Sequence, residues 1–526
     1  MCKYKHFAVI VGGLIILLIA GCFTLSYDGN DDQLMQFIVS GTLTGIADSN
    51  IIFQHVFVGK VLCFLYTTFP YLNWYVLFLI CVHLLAAGML ITGLFYQTDR
   101  QNDSVRMALF IILLFGFYAL YIVAIQYTTT SLLIGIAALT ILSGKLPSGK
   151  KIISASVGII LCMLIREQVF YLIVLLSIPI LLQSWNTPER NPVLITISIS
   201  VFFYFFLSYT NHHLSGSLLE NYRSYISASE IIINRPLNLS PELLKKHPFS
   251  IDDLLLIQNW YGADPNYNTP AFFNFAKDVL SVRNSAEVLI LLKSSLKDER
   301  YLLLMYLISF LSVLWLCHQD KKWAVLNLFL FIIIYVYLLY NMRIPRRVIS
   351  PLLFYISWRN LLLLLQYAKP SGFRTAVFSV LVLLSGYKFY CVYQLNQKNE
   401  TNAETFETVK KEINNNPDVL FIAASFPLEL MKVDFSNTDI FTHNNIIFTG
   451  WYINTPNYLQ LLTQHRLTDL TAGIKDRKDI LFLSDSNAFE AAFVRVMLQR
   501  YAIKCHFEDA ESGFTYLHPK RLVFDN

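Results

Sequence analysis

Apolar stretches of about twenty residues, separated by short polar segments, recur along most of the chain. A helix of about that length crosses the ~30 Å hydrocarbon core of a bilayer. The pattern predicts a polytopic α-helical membrane protein with about eleven transmembrane helices. Their approximate positions are 7–25, 75–96, 105–124, 127–144, 152–165, 169–183, 193–210, 301–317, 323–340, 351–366 and 375–394.

A break is predicted within residues 152–183. As one helix they would be about 48 Å long, because each helical residue adds ~1.5 Å. That length exceeds a single crossing, so we place a turn at the sequence "IREQ", which begins at Ile165. The two halves are short, which is typical of tilted or partly shielded spans.

Residues 51–69 admit two interpretations, a further span or a juxtamembrane helix on the outer surface. With Lys3 and Lys5 on the cytoplasmic side and 51–69 not crossing, the short cytoplasmic loops carry ten basic residues and the short outer loops four. The positive-inside rule therefore favours the second interpretation. It also places the polar loop 211–300 and the C-terminal segment outside.

The final 130 or so residues have a different pattern, in which short apolar stretches alternate with amphipathic ones. "DVLFIAAS" and "DILFLSDS" are typical of buried strands, and "NAFEAAFVRVMLQRY" is typical of a helix that begins between Ser484 and Asn487. This alternation predicts a small extracytoplasmic α/β domain over 395–526. Residues 1–394 form the predicted transmembrane domain, in which 26–74 are a first outer loop with juxtamembrane helices and 211–300 a large outer loop.

Composition agrees with a membrane protein. Of the 526 residues, 55% are hydrophobic and 15% charged, whereas soluble domains carry roughly 25% charged residues. The net charge of +5 is small for this length and does not indicate nucleic-acid binding. The eight cysteines form no CxxC pair, so neither a disulfide framework nor a zinc site is predicted.

Three acidic residues, Asp28, Asp31 and Asp32, follow the first span directly. The spacing of Asp28, Asn30 and Asp32 does not continue as a calcium loop, because its sixth position is glutamine and its twelfth is valine. A solvated helix cap and a functional carboxylate pair remain as alternatives.

Basic residues are concentrated where the orientation rule predicts few. Arg343, Arg346 and Arg347 lie in "NMRIPRRVISP" on the outer side, and guanidinium groups suit the binding of phosphate. Headgroup contact is the alternative. Arg166 and Glu167 are charges between apolar stretches, where a charge is costly and is therefore a functional candidate; an ion pair that turns the hairpin is the alternative.

These acids and arginines are predicted on one face of the membrane. A carboxylate of Asp31 or Asp32 can take a proton from an acceptor hydroxyl or bind a divalent cation, and arginines can stabilise a phosphate leaving group. A lipid-linked sugar phosphate has a tail for the bilayer and an anionic leaving group at its surface.

The arrangement resembles the GT-C fold of integral-membrane glycosyltransferases, such as protein O-mannosyltransferases and the lipid A aminoarabinose transferase. The acidic motif of their first outer loop corresponds to "NDDQ", with Asp31 and Asp32 as catalytic candidates. "SNIIFQHVFVG" carries His55 but no prolines where the family has an "HPPL"-like element. "LIREQ" places Arg166 where the family usually has a lysine. "QYTTTS" stands where many members have a second acidic loop, and it has no acid.

The strings "DDQLMQFIVSGTLTG", "RIPRRVISP" and "FTGWYINTP" also resemble a group of bacterial membrane proteins with an outer C-terminal α/β part. The resemblance implies a glycosyltransferase of the bacterial cytoplasmic membrane, with its N-terminus in the cytoplasm and its C-terminal domain outside. The donor would be a polyprenyl-phosphate-linked sugar, and the acceptor a cell-surface glycan, lipid or protein.

In this interpretation Asp31 and Asp32 are catalytic, and the substrate contacts are Asp28, His55, Arg166, Glu167, Arg343, Arg346 and Arg347. A non-catalytic flippase or exporter of lipid-linked saccharides would use the same arginines without needing the aspartates. A polymerase of lipid-linked saccharides is the third alternative. The sugar, the stereochemistry and a requirement for a metal are left open.

Overall fold

A computed structural model describes the protein over residues 2–96, 103–214, 218–317, 321–342, 346–367, 371–424, 431–436, 443–475, 477–484, 486–510 and 518–525. The N-terminal half is a helical bundle with one short pair of strands. Its elements are α1 (Cys2–Cys22), β1 (Ser26–Tyr27), α2 (Asn30–Ser40), α3 (Val56–Thr68), α4 (Trp74–Tyr96), α5 (Asp103–Ile111), a π-helical segment (Ile112–Tyr118), α6 (Ala119–Val123), β2 (Ala124–Ile125), α7 (Tyr127–Ser143), α8 (Ser148–Ile165), α9 (Val169–Ser184) and α10 (Arg190–Leu214).

The predicted large outer loop is helical rather than irregular. It contains α11 (Leu218–Asn234), α12 (Pro241–Leu244), α13 (Ile251–Gln258), a 3₁₀ turn (Pro265–Asn268), α14 (Pro270–Asp278) and α15 (Ser285–Asp298). The bundle is completed by α16 (Arg300–Leu316), α17 (Lys321–Asn341), α18 (Arg346–Tyr367) and α19 (Gly372–Asn414). The axes of α15 and α16 differ by 83°, so α15 runs nearly perpendicular to the helix that follows it.

All eleven predicted apolar stretches are helical, but the number of eleven spans is not confirmed. Within the described ranges, seven helices are long and apolar enough to cross a membrane, or eight if α15 and α16 are one bent span. Three of the predicted spans are shorter apolar helices, namely α7, α9 and the part of α1 from His6 to Cys22. The 16 and 17 residues of α9 and α7 extend about 24–26 Å.

The break at "IREQ" is confirmed, because α8 ends at Ile165 and α9 begins at Val169. Between 51 and 69 the chain forms the 13-residue helix α3, which at about 20 Å is too short to cross the bilayer core. A Cβ on Gly59 would lie 1.9 Å from the carbonyl oxygen of Ser49. Glycine at this position therefore lets α3 pack directly against the first outer loop.

The core of the bundle surrounds α7 and α18. The side chains of α7 are buried from its first residue to Leu142, and those of α18 from Ile349 to Leu365. The helix α7 packs against α4, α8, α9 and α18. Helices that are apolar on all sides and enclosed by others are expected at the centre of a membrane bundle. Residues at the ends of these two helices are therefore held by the best-packed part of the protein.

A C-terminal α/β unit is present, but α19 runs without a break through the predicted boundary at 395. The unit contains β3 (Leu420–Ala423), β4 (Ile446–Phe448), α20 (Pro456–Gln464), a 3₁₀ turn (Ala472–Ile474), β5 (Ile480–Leu483), α21 (Asn487–Tyr501), β6 (Cys505–Asp509) and β7 (Lys520–Phe524). The five strands form one mixed sheet in the order β4-β3-β5-β7-β6, in which β3 pairs in parallel with both β4 and β5. Ser486 caps α21 by accepting a hydrogen bond from the amide of Phe489 at 3.2 Å, which agrees with the predicted start.

The C-terminal unit is attached to the first outer loop by backbone hydrogen bonds. The amide of Val433 donates to the carbonyl of Leu25 at 3.0 Å, and the amide of Asn73 donates to the carbonyl of Phe435 at 2.8 Å. Backbone pairing of this kind fixes the register between two segments. The acidic start of the first loop and the C-terminal sheet therefore belong to one connected structure.

Candidate active site

The start of α2 determines where the two adjacent aspartates point. Strand β1 pairs in parallel with β2, and the amide of Asp28 continues this pairing by donating to the carbonyl of Ile125 at 3.0 Å. The helix then begins at Asn30, so Asp31 and Asp32 lie in its first turn. Neighbouring residues of a helix differ in direction by about 100°. The two carboxylates are therefore directed to different surroundings.

Asp32 is fully buried. One carboxylate oxygen, Oδ1, accepts hydrogen bonds from the hydroxyl of Tyr75 at 2.7 Å and from the amide of Tyr127 at 3.1 Å. The other, Oδ2, has no hydrogen-bond partner among the described residues. Burial raises the pKa of Asp32 well above its ordinary range, because removal of water disfavours the charged form. The solvated-cap alternative is therefore wrong for Asp32, which instead links α2 to α4 and α7.

Asp31 is directed toward the start of α18. Its Oδ2 pairs with Nη1 of Arg347 at 2.9 Å, and both side chains keep some contact with solvent, with 16% and 32% of their surface exposed. Gly29 precedes the helix with φ +153°, and a Cβ there would lie 4.0 Å from the same Nη1. Glycine readily adopts that backbone conformation, which other residues rarely do. The residues near 30 and near 347 thus meet at one place, as the sequence analysis requires.

Arg346 is held by an acid that the sequence analysis did not single out. Its Nε donates to Oε1 of Glu299 at 2.9 Å, while half of the arginine side chain remains exposed. Glu299 lies at the bend between α15 and α16 and is only 3% exposed. The fork of an arginine has five N–H donors, so one contact leaves others available to a further anion.

Arg166 lies between two aromatic rings. Its guanidinium carbon is 5.0 Å from the centre of the Phe53 ring and 5.2 Å from that of Tyr127. Its Nη1 also donates to the Tyr127 hydroxyl at 2.6 Å. Cation–π contacts of this kind hold a guanidinium in one orientation. Asp31, Arg166, Arg346 and Arg347 are called the charged site below.

The other predicted contacts are placed around the charged site in different ways. Asp28 is close enough to Arg346 to interact with it electrostatically. His55 caps α3, accepting from the amide of Phe57 at Nδ1 and contacting the carbonyl of Leu207 at 2.9 Å through Nε2. Burial lowers its pKa, which favours the neutral ring. Glu167 interacts electrostatically with His55. Arg343 lies outside the described residues.

The segment "QYTTTS" forms the start of α7. The side chain of Gln126 accepts a hydrogen bond from the amide of Thr129 at 2.8 Å, and Thr128 to Ser131 are buried. This is the geometry of an N-cap, in which a side-chain oxygen satisfies a free amide of the first turn. The cap of α7 is therefore the side chain of Gln126 and not a threonine hydroxyl.

The C-terminal unit reaches the charged site through the "GW" element. The Trp451 ring is 4.8 Å from that of Phe53, which covers Arg166. The carbonyl of Trp451 accepts a hydrogen bond from the hydroxyl of Tyr222 on α11 at 2.5 Å. The Trp451 indole Nε1 is buried without a hydrogen-bond partner in the described part of the chain. The large outer loop, through α11, and the C-terminal unit, through Trp451, therefore meet next to the charged site.

The two aspartates do not share a metal position. Asp31 is paired with Arg347, and Asp32 is buried with Tyr75 and Tyr127. Over the described ranges no group of three histidine, cysteine, aspartate or glutamate side chains could hold a metal ion. The residues present therefore do not fit a two-carboxylate metal site.

Sequence reasoning missed Tyr127, Glu299 and Glu230. Tyr127 interacts electrostatically with Arg166, Arg347 and both aspartates, which makes it the central side chain of the site. Its signal was weak, because a tyrosine at the start of an apolar helix is common at membrane interfaces. The two glutamates lie in the large outer loop, where acidic residues are unremarkable in a sequence.

We expect Asp32→Asn to fold nearly as well as the natural protein, because an amide keeps the oxygen that accepts both hydrogen bonds. Asp32→Ala should lose roughly 1–3 kcal/mol of stability, because the partners remain buried and unpaired.

A native pKa raised above the unfolded value gives stability at low pH that is lost as pH rises toward the native pKa. Between pH 5 and pH 9, the melting temperature of the natural protein should therefore fall relative to that of Asp32→Asn as pH rises. Equal losses in both variants, or the opposite pH trend, would contradict a buried neutral acid.

Fold and site together define an integral membrane protein with a charged site where its first outer loop, its large outer loop and its C-terminal sheet meet. No family model and no curated protein matches the chain. Two solved structures are similar to it, both of ArnT from Cupriavidus metallidurans, one bound to undecaprenyl phosphate and one in the apo state. Each is 12% identical and covers 99% of this chain and 98% of the other, with TM-scores of 0.36 and 0.39 respectively.

Proposed function

We propose that the protein is a membrane glycosyltransferase. It would move a sugar from a polyprenyl-phosphate donor to a cell-surface glycan, lipid or protein on the outer face of a bacterial cytoplasmic membrane. The observation that supports this most is the ion pair between Asp31 and Arg347, which are 316 positions apart in the chain. It brings a carboxylate and a guanidinium together in one partly exposed site.

The donor class follows from the charges and their position. Arg346 and Arg347 begin α18, a helix apolar and long enough to cross the bilayer, so their side chains lie at one end of the bundle. A polyprenyl phosphate carries its anion next to its membrane-embedded tail. Guanidinium groups bind phosphate oxygens in a planar, two-pronged manner. The contacts to Asp31 and Glu299 would keep both arginines oriented before the donor arrives.

In the proposed reaction the arginines stabilise the leaving group. As the bond from the sugar to the phosphate breaks, negative charge grows on the phosphate oxygen, and preoriented donors lower the energy of that state. Arg166 would contribute as well, since its two aromatic neighbours hold it in place. Asp31 would steer the acceptor and hold Arg347. The C-terminal unit would cover the bound acceptor through Trp451.

The test is reconstitution of the purified protein into liposomes with a radiolabelled polyprenyl-phosphate sugar and an acceptor extract. We expect label to move to the acceptor, and Arg346→Ala to raise the donor KM by about tenfold or more, since a hydrogen bond to a charged group is worth ~1.5–3 kcal/mol. A donor KM unchanged by that substitution would contradict the phosphate assignment. Passage of the intact donor across the bilayer without transfer would replace the enzyme proposal with a flippase.

A further inference from the structure

Besides Asp28 and Glu299, which act on Arg346, three carboxylates lie in or near the charged site, and their surroundings differ. Asp32 is fully buried and accepts two hydrogen bonds, so it cannot contact an acceptor. Asp31 is occupied by Arg347, whose Nη1 lies 2.9 Å from its Oδ2. The third is Glu230 on α11. It has not been assigned a role by the sequence analysis or by the resemblance.

The position of α11 brings Glu230 within electrostatic range of Arg166, Arg347 and Asp31. Eight residues earlier on this helix, Tyr222 donates to the carbonyl of Trp451 at 2.5 Å, and the Trp451 ring contacts Phe53 at 4.8 Å. Tyr222 interacts electrostatically with both Glu230 and Asp31. Positions eight apart lie about 80° apart around a helix, two turns along it. Both Tyr222 and Glu230 lie within electrostatic range of Asp31.

The groups that face Glu230 come from four parts of the chain. They are Arg166 from the turn between α8 and α9, Arg347 from α18, Asp31 from α2, and Arg235 just beyond α11, all within electrostatic range. The Glu230 side chain is accessible to solvent, although protein surrounds it on most sides. An accessible carboxylate enclosed in this way is positioned to meet a ligand that enters the site.

The protein around Glu230 also affects its acidity. Loss of water around the carboxylate raises its pKa, and the neighbouring Asp31 acts in the same direction, whereas the arginines oppose both effects. A carboxylate with a higher pKa is a stronger base, and the most effective general base has a pKa near the working pH. Glu230 is therefore suited to remove a proton, whereas the Asp31 carboxylate is engaged in its ion pair with Arg347.

We propose that Glu230 is the general base that activates the acceptor, an inference that rests on the proposed function. The acceptor hydroxyl gives its proton to the Glu230 carboxylate, and its oxygen forms a bond to the anomeric carbon of the donor sugar. The bond from that carbon to the phosphate oxygen breaks, and its electron pair stays on the phosphate, next to Arg347. The protonated Glu230 returns its proton to solvent. The acceptor class is thus a hydroxyl-bearing molecule whose nucleophilic oxygen reaches α11.

The experiment compares transfer by the natural full-length protein, Glu230→Gln, Glu230→Ala and the matched control Glu242→Gln in liposomes. Glu242 is an exposed acid in the first turn of α12, in the same outer loop. We expect kcat to fall about 100- to 10,000-fold in Glu230→Gln, with the donor KM and the melting temperature little changed. Glu242→Gln should retain full activity.

Two further readouts separate a base from a structural acid. The natural protein should lose kcat as pH falls through the pKa of Glu230, and this acidic limb should be absent from the residual activity of Glu230→Gln. Added formate should partly restore Glu230→Ala, because a small carboxylate can occupy the vacated space. Full activity of Glu230→Gln, or loss of donor binding without loss of kcat, would overturn the assignment while transfer by the natural protein still stood. Absence of transfer in the natural protein would instead overturn the proposed function.

Discussion

Replacing Arg347 by alanine is expected to lower sugar transfer by about 100- to 1,000-fold at saturating donor, which is the typical cost of removing one preoriented donor to a developing negative charge. The guanidinium group is the direct partner of Asp31 at 2.9 Å and is partly exposed. Its loss would remove the proposed phosphate contact and free the aspartate at the same time. The measurement is kcat from initial rates of label transfer in liposomes.

The controls separate charge from shape. Arg347→Lys keeps the charge but not the planar fork, so it should retain an intermediate activity. Arg300→Ala removes an exposed arginine whose guanidinium donates to the hydroxyl of Tyr301 at 3.0 Å, and it should transfer normally. Because Asp31 and Arg347 are in contact, the effects of Asp31→Asn and Arg347→Ala should not add. Additive effects, or an active Arg347→Ala, would show that the ion pair has no part in the reaction.

Removing Arg500 should cost about 3–5 kcal/mol, since one substitution leaves two buried carboxylates without their cation. Arg500 on α21 pairs with Asp253 at 2.6 Å and with Asp264, and these acids are 2% and 0% exposed. Both acids belong to the large outer loop, so this contact holds the loop to the C-terminal unit. We expect Arg500→Ala to lower the melting temperature by several degrees and to make the loop sensitive to protease.

Arg495 is the matched control for that experiment. It lies on the same helix and pairs with Asp252 at 2.7 Å, but half of its side chain is exposed. An exposed pair is worth about 0–1 kcal/mol, so Arg495→Ala should melt almost like the natural protein. Similar shifts in both variants would mean that burial does not set the strength of this interface. A normal melting temperature for Arg500→Ala would mean that the loop is held elsewhere.

The apolar pattern predicted most of the fold because each helix of the bundle needs an apolar sequence, whatever its neighbours are. The break before Arg166 was predictable, since it depends only on length. The number of spans was not, because α7 has the composition of a span and yet ends after 17 residues in the centre of the bundle. Its length depends on the cap at Gln126 and on the helices around it, which no single stretch of sequence specifies.

The charged site was predicted in part for the same reason. Arginines next to an apolar helix are visible in a sequence, and so is an acidic pair after the first span. The difference between Asp31 and Asp32 depends on the phase of α2, which begins at Asn30 because β1 pairs with β2 just before it. Glu299 and Glu230 come from distant segments of the outer loop, and only tertiary packing brings them to the arginines.

The helix α19 has a mechanical consequence. Its 43 residues make a rod of about 64 Å, roughly twice the thickness of the bilayer core, and the first strand of the C-terminal sheet follows within a few residues. A tilt of about 10° at the membrane end would displace the far end by roughly 11 Å. Small rearrangements among the lipid-embedded helices would thus produce larger displacements of the sheet that carries Trp451. Movement of the bundle would in this way be coupled to opening of the site.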